Sequence, residues 1–477
     1  MMRFTITRRQ FTGGASAFAA ATVLAGSLKA QQPSTNEQVR RLTAKLGEAE
    51  LLETDAPRTP IWGYEGHVPG PELRVAQGKP VAIDLVNSLP QPTTIHWHGI
   101  RIDNSMDGVA GLTQTPVTPG ETFAYRFSPP DAGTYWYHPH NRTWEQLARG
   151  LYGPFIVEEQ QPPPCDQDLV LMIDDWRLGD NGHIDEASLG SMHDISHAGR
   201  LGNVLTLNGR GEQDIPVRAG QRLRLRLINA ANARIIGITF EGHVPMVIAL
   251  DGQPLDRPFA PGNNLVRLAP AQRADLILDC DQDVGAQTSI LADTGREKLR
   301  IGRFVYHKEK RERPNILTDI PLLPQNPMPV ALDLDRAINV DLEMTGGAMS
   351  AFEAAEYKGK RYGARELVRE HHKIWAFNGI VGMPQSPLMQ IPLGKTVKVR
   401  IVNRTAWPHA MHFHGHHVKE VAHARRTPLP YWRDTILMER GEEVTVAFLA
   451  HNPGRWMLHC HMLEHQAGGM SSWYEVA

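Results

Sequence analysis

One ten-residue pattern occurs three times in this 477-residue chain and sets what it can fold into. The copies are Gly78-Lys-Pro-Val-Ala-Ile-Asp-Leu-Val-Asn87, Gly220-Gln-Arg-Leu-Arg-Leu-Arg-Leu-Ile-Asn229 and Gly394-Lys-Thr-Val-Lys-Val-Arg-Ile-Val-Asn403. Each opens on Gly and closes on Asn nine residues later, with apolar and polar residues alternating between them. Period-two alternation is the mark of a strand with one face buried. A second strand-like segment precedes each copy, at Pro71–Val75, Asp214–Val217 and Met389–Leu393. Copies 142 and 174 residues apart are too distant for a solenoid, whose units recur every ~20–50 residues. The expectation is an all-β chain of three sandwiches of common plan, which suits a length of about three domains.

Composition places the boundaries. Gln160-Gln-Pro-Pro-Pro164 separates a first domain, 45–160, from a second, 165–308. The charged, Pro-rich stretch from Lys308 to Pro329 separates that from a third, 329–477. Between Gly346 and His372 the third domain is rich in Ala, Glu, Lys and Arg and reads as a short helical insertion. At the N-terminus Thr7-Arg8-Arg9-Gln10-Phe11 precedes an apolar stretch, Ala15 to Leu28. Residues 1–30 therefore read as a twin-arginine signal, implying the twin-arginine export machinery and a periplasmic location. No apolar run reaches the ~18 residues of a membrane span, so no membrane anchor is expected. Lys plus Arg number 50 and Asp plus Glu 52, a net charge of −2 that argues against a nucleic-acid binder driven by bulk charge. Three Cys make no disulfide scaffold; Cys165 and Cys280 either pair with each other or are two inert thiols.

The unusual residue is His. There are 22, ten of them between His409 and His465. Four motifs stand out: His96-Trp97-His98, His138-Pro139-His140, His412-Phe413-His414 and His459-Cys460-His461. In a strand, residues i and i+2 share a face, so each motif sets two imidazoles side by side with the middle residue opposite. Eight such imidazoles brought together suffice for several copper ions. The repeat shows how they converge. Asn87 to His96 and Asn403 to His412 are both nine residues; Gly133 to His138 and Gly454 to His459 are both five. Domains one and three present the same two pairs on the same strands, so their interface collects all eight. The second domain has no pair at these positions and is expected to be a copper-free spacer.

The two copies also differ. Domain three has Cys460 where domain one has Pro139, His409 where it has Thr93, and His465 where it has Trp144. Met470 follows Cys460 by ten residues. Two His, one thiolate and a weak axial Met form the blue-copper electron-transfer set. The remaining histidines take plainer readings. His416, His417 and His243 read as structural, His183, His193 and His197 as solvated loop residues, and His371 and His372 as cations closing the helical insertion.

These motifs closely resemble those of the multicopper oxidases, in particular the three-domain laccase-like and bacterial copper-oxidase branch, over essentially the whole chain after the signal. The resemblance implies Greek-key cupredoxin domains and four copper ions. A mononuclear blue copper would be held by His409, Cys460 and His465 with Met470 axial. In a trinuclear cluster, one copper would take His96 and His412, a second His98, His138 and His461, and the third His140, His414 and His459. It further implies one-electron oxidation of a phenolic or metal-ion reductant, with dioxygen reduced to water. Asp107 matches the carboxylate that relatives use to move protons to the cluster, while a second such carboxylate is replaced here by Gln466. Relatives specialised for cuprous ion carry a Met-rich insertion and Asp and Met before the first His of the third motif. This chain has Thr405-Ala406-Trp407-Pro408 there and only Met344 and Met349 near the insertion. The expected function is a laccase-like oxidase, with a periplasmic cuprous-ion oxidase as the alternative. A copper nitrite reductase would not need four His pairs, and a scaffold that had lost its copper would not keep Cys460 and ten ligand histidines.

Overall fold

The computed structural model describes residues 39–52, 55–309, 319–329 and 331–477; the signal read at 1–30 lies outside them. The described chain is all-β, as expected, in three two-sheet sandwiches. In the first, a sheet ordered Thr59–Tyr64, Arg40–Ala49, Val81–Asn87, Thr122–Phe127 faces one ordered Leu73–Ala76, Gly153–Glu158, Gly133–His138, His96–His98. The second pairs a six-stranded with a five-stranded sheet between Gln167 and Tyr306, and the third pairs two five-stranded sheets between Ile338 and Val476.

The repeat strand has the same neighbours in every sandwich. Val81–Asn87, Arg222–Asn229 and Thr396–Asn403 each run parallel to the first strand of their unit and antiparallel to a later one. The ends of the pattern have a physical reason. Gly78, Gly220 and Gly394 turn the chain into the strand with φ of 71°, 89° and 81°, where a Cβ is disfavoured. At the other end, Asn87, Asn229 and Asn403 accept from the backbone N–H two residues on, at 2.9, 3.0 and 2.9 Å. Each Asn amide also donates to two carbonyls, one four or five residues on and one across the sandwich. A buried side chain that satisfies three backbone groups fixes the turn leading to the His strand.

Two expectations are corrected. The repeat strand of the second sandwich is buried on both faces, not half-buried. Its Leu223, Leu225 and Leu227 enter the core, while Arg222, Arg224 and Arg226 meet carboxylates. Arg222 pairs with Asp279, Arg224 with Glu159 and Asp275, and Arg226 with Asp168 and with the Thr134 hydroxyl of the first sandwich. A buried charge is tolerated where it is paired and hydrogen-bonded, so polar alternation here marks an interface rather than a wet face. The insertion is not simply helical either. Ala354–Tyr357 and Lys360–Gly363 form a hairpin before the helix Ala364–His371. Lys358 and Gly359, both at positive φ, make its two-residue turn, and the strand pairing that this turn sets up overrides helix propensity. Cys165 and Cys280 are both free thiols.

Candidate metal centres

The His strands of the first and third sandwiches match in register. His96 lies opposite His138, and His412 opposite His459. Period two then does what the motifs require. Trp97 enters the first core and Cys460 the third, leaving the flanking histidines on the other face. All eight imidazoles are buried and gather into three ligand groups: His96, His98 and His412; His98, His138 and His461; His140, His414 and His459. In each group the ligand atoms lie within 4.8 Å of one another.

For six of the eight an acceptor fixes which ring nitrogen is free. His96 Nδ1–H donates to the Asp107 carbonyl at 2.9 Å, His412 Nδ1–H to the Asp434 carbonyl at 2.9 Å and His138 Nδ1–H to the Pro139 carbonyl at 3.0 Å. His459 Nδ1–H donates to the Cys460 carbonyl at 2.9 Å, and His414 Nδ1–H to the Asp107 carboxylate at 3.0 Å. His98 is reversed: Nε2–H donates to the Asp434 carboxylate at 3.2 Å, leaving Nδ1 to face inward. Such outer partners orient a metal-binding imidazole. Burial first, then the neighbouring imidazoles, hold His98, His138, His140, His414, His459 and His461 well below the usual histidine pKa. The rings are therefore neutral, and their inward nitrogens carry bare lone pairs.

Bare lone pairs facing one another need a cation. Nε2 of His96 and of His412 are buried without a hydrogen-bond partner. His140 Nε2 and His459 Nε2 sit 3.4 Å apart, His414 Nε2 and His459 Nε2 3.2 Å, and His461 Nε2 and His138 Nε2 3.4 Å. The donor set fits bound metal.

The fourth group, His409, Cys460 and His465, lies on the other side of the same strand. Thr405 Oγ1 sits 2.8 Å from His409 Nε2, and His465 Nε2–H donates to the His197 carbonyl at 2.7 Å. Both Nδ1 atoms then face each other at 3.0 Å, and Cys460 Sγ lies 3.6 and 3.8 Å from them. The corners of that triangle are all about 2 Å from its centre, the length of a transition-metal bond to nitrogen or sulfur. Burial pushes the Cys460 thiol up to about 12 and the His465 imidazole down to about 4. The imidazoles are thus ready ligands, whereas the thiolate forms only with a cation beside it. Met470 is buried in the same core, and its carbonyl accepts from the Cys460 N–H at 3.1 Å.

The ten histidines and Cys460 predicted as ligands thus fall in these groups, while Met470 is placed only in the core around Cys460. Asp107 sits against His96 and His414, as a carboxylate serving the cluster must. Gln466 lies instead on a cleft of roughly 600 Å³ that His140 also lines. Burial raises the Glu464 carboxyl, opposed by bonds from Arg200 N and Asn232 Nδ2 at 3.1 and 2.8 Å. His416 bonds to the Tyr474 hydroxyl, His417 to the Asp251 carbonyl and His243 to the Tyr306 hydroxyl, all structural roles as read. His197 is not merely solvated, since its carbonyl holds His465. Sequence reasoning also missed Asp434. Burial would raise its carboxyl, but the Arg273 guanidinium and His98 hold it well below the carboxylate range. Arg273 comes from the second sandwich, and no motif or spacing pointed to either residue.

Comparison with known proteins agrees with this geometry. Models described as multicopper oxidase match residues 46–162, 167–298 and 344–477. The chain is 30% identical to Laccase-1 of Fomitopsis schrenkii over 85% of this chain and 81% of that one. Among solved structures, a multi-copper oxidase from Pseudomonas thermotolerans is 30% identical with a TM-score of 0.78, covering 92% of this chain and 99% of the other. Lac15 from a marine microbial metagenome is 38% identical with a TM-score of 0.73, covering 92% and 100%.

Proposed function

The chain belongs to the multicopper oxidase family, copper-dependent oxidoreductases that use oxygen, and from that premise we propose a laccase-like oxidase of phenolic reductants. In this reading four copper ions would be held, one by His409, Cys460 and His465 with Met470 beside them, and three by the eight-histidine centre. Bound copper supplies one-electron oxidation at the first site and four-electron reduction of dioxygen to water at the second. The chain's own part is to hold both sites rigid and joined. Cys460 faces one and its neighbours His459 and His461 the other, so adjacent residues of one strand link them. Asp107 fixes the His414 tautomer and is the carboxylate at hand for proton delivery, while Gln466 cannot share that task. The twin-arginine pair at Arg8 and Arg9 supports export to the periplasm.

One observation carries the choice of reductant. The residues leading to His409 present an indole, not soft ligands. Trp407 is half-buried at the surface with its N–H donating to the Ala348 carbonyl at 3.1 Å, and Thr405 is spent on His409. Of the two methionines near the start of the insertion, Met344 is fully buried and Met349 is exposed. A cuprous ion would want Met or carboxylate ligands, whereas an aromatic rim suits a planar phenol. Oxygen uptake should be compared with phenol and with cuprous ion as reductant under the same conditions. Phenol turnover without added copper supports the proposal. Activity that needs excess copper, with cuprous ion oxidised far faster, reverses it in favour of the cuprous-ion oxidase.

A further inference from the structure

His465 is fully buried, and its outward nitrogen is taken by the His197 carbonyl. A reductant in solution therefore meets not that ring but what covers it: the segment from Ser191 to Arg200 of the second sandwich, and Trp407 of the third. The segment opens on a short helix, Met192–Ser196, capped by Ser191. One turn apart on it, His193 and His197 stack with ring centroids 4.3 Å apart and planes 11° from parallel. His197 Nδ1–H donates to the His193 carbonyl at 2.9 Å, which holds the inner ring. The His197 ring meets Trp407 edge-on at 5.4 Å. Backbone and indole bonds pin the helix to the third sandwich. Ala348 N–H donates to the Ser196 carbonyl at 2.7 Å, and Trp375 Nε1–H to the Ile195 carbonyl at 2.6 Å. Trp375 itself packs on His465, ring centroids 4.4 Å apart. The outermost ring, His193, has a side chain 77% exposed.

We propose that the stacked His193–His197 pair, backed edge-on by Trp407, is the ledge on which the organic reductant docks, with His193 as its positioning and specificity-determining residue. This rests on the phenol reading above. A planar ring lies on the free face of His193 and extends a stack that ends beside the carbonyl bonded to His465. Arranged this way, the two imidazoles do not form a metal site. Parallel rings point their nitrogens side by side, whereas chelation needs lone pairs that converge about 2 Å from one ion. A stacked aromatic is the ligand that parallel, solvent-facing rings do recognise.

The test uses the copper-loaded enzyme at about pH 8, where an ordinary imidazole is neutral. Binding of trimethoxybenzene, a redox-inert ring, is measured by calorimetry, and steady-state kinetics are measured with syringol and with ferrocyanide, which has no ring face. His193→Ala should weaken trimethoxybenzene binding and raise the syringol KM about fivefold each, the size of a lost ring contact, with kcat, blue absorption and ferrocyanide kinetics kept. His193→Phe should restore both. Wild-type trimethoxybenzene affinity and syringol KM in His193→Ala would overturn the ledge while leaving the phenol reading standing. So would an equal rise in the ferrocyanide KM. Wild-type enzyme that oxidises ferrocyanide but not syringol would overturn the phenol reading and the ledge together.

Discussion

Arg273→Met tests whether the second sandwich holds the eight-histidine centre electrostatically. Arg273 is fully buried, as is its partner Asp434. Its guanidinium meets both carboxylate oxygens, at 2.9 and 2.5 Å, and also donates to the carbonyls of Thr134 and Ala271 at 3.2 and 3.1 Å. Asp434 in turn accepts from His98 Nε2–H and from the Thr435 hydroxyl. Methionine fills similar volume but leaves the carboxylate buried without its cation. Breaking a buried pair from one side costs ~3–5 kcal/mol, because the abandoned charge keeps its desolvation penalty. An exposed pair such as Arg300 with Glu212 is worth only ~0–1 kcal/mol, so Arg300→Met is the control. The assay is urea unfolding of wild type and both variants at matched copper content, with metal affinity measured by chelator competition. Arg273→Met should lose ~3–5 kcal/mol and bind copper about 10–100-fold more weakly, as when an outer partner of a ligand is disturbed. Adding Asp434→Asn, which removes the abandoned charge, should recover part of the stability. An Arg273→Met loss under about 1 kcal/mol, equal to the control, would refute the argument.

Three further outcomes are expected. Cys460→Ser should lose the intense blue absorption and substrate oxidation while the eight histidines still bind copper, which visible spectra and metal analysis will show; a variant that stays blue sinks that site. Asp107→Asn should slow reoxidation of the reduced enzyme at least about tenfold, since an amide cannot exchange the proton, while its blue colour and reduction by substrate persist, and Gln466→Glu should partly rescue it. Reoxidation at the wild-type rate in stopped flow would mean that protons arrive by another route. His243, buried neutral against the Tyr306 hydroxyl, has its pKa lowered chiefly by burial, so its contribution to stability is present above an unfolded pKa of ~6.5 and lost as pH falls below it. Thermal unfolding of His243→Gln against wild type should therefore show a deficit at neutral pH that narrows toward about pH 5; a constant gap would contradict the sign.

Much of the site was legible because two periodicities are rigid. Strand period two puts His96 with His98 and His459 with His461, and the Gly–Asn repeat carries that geometry from domain one to domain three. The Cys460 set followed from comparing the two copies position by position. What stayed hidden depends on docking rather than on any local pattern. Asp434 has an ordinary sequence neighbourhood and acquires its role only when Arg273 arrives from 161 residues away. His197 ligates nothing, and its backbone carbonyl, which every residue has, does the work. Arg224 and Arg226 look like a wet strand face until Glu159 and Thr134 cover them. The hairpin Ala354–Gly363 was masked by residues of good helix propensity, which strand pairing across the Lys358-Gly359 turn overrode.

These misses converge on the second sandwich, which the spacing of the histidines casts as an inert spacer. Among the described residues it contributes no member to any metal-capable group. It nonetheless supplies the cation beside Asp434, the carbonyl that sets the His465 tautomer, and Asn232 and the Arg200 N–H that hold Glu464 next to His465. Each is a contact of one or two hydrogen bonds, whose geometry matters on that scale. A domain that must deliver three such contacts at once has to dock in one orientation. The buried Arg224–Glu159 pair, which joins that strand to the first sandwich, is suited to that, because an ion pair removed from water tolerates misalignment poorly: a shifted interface leaves a charge without its partner. The same charges that add little net stability therefore fix where the middle domain sits, and through it the orientation of ligands that belong to the other two.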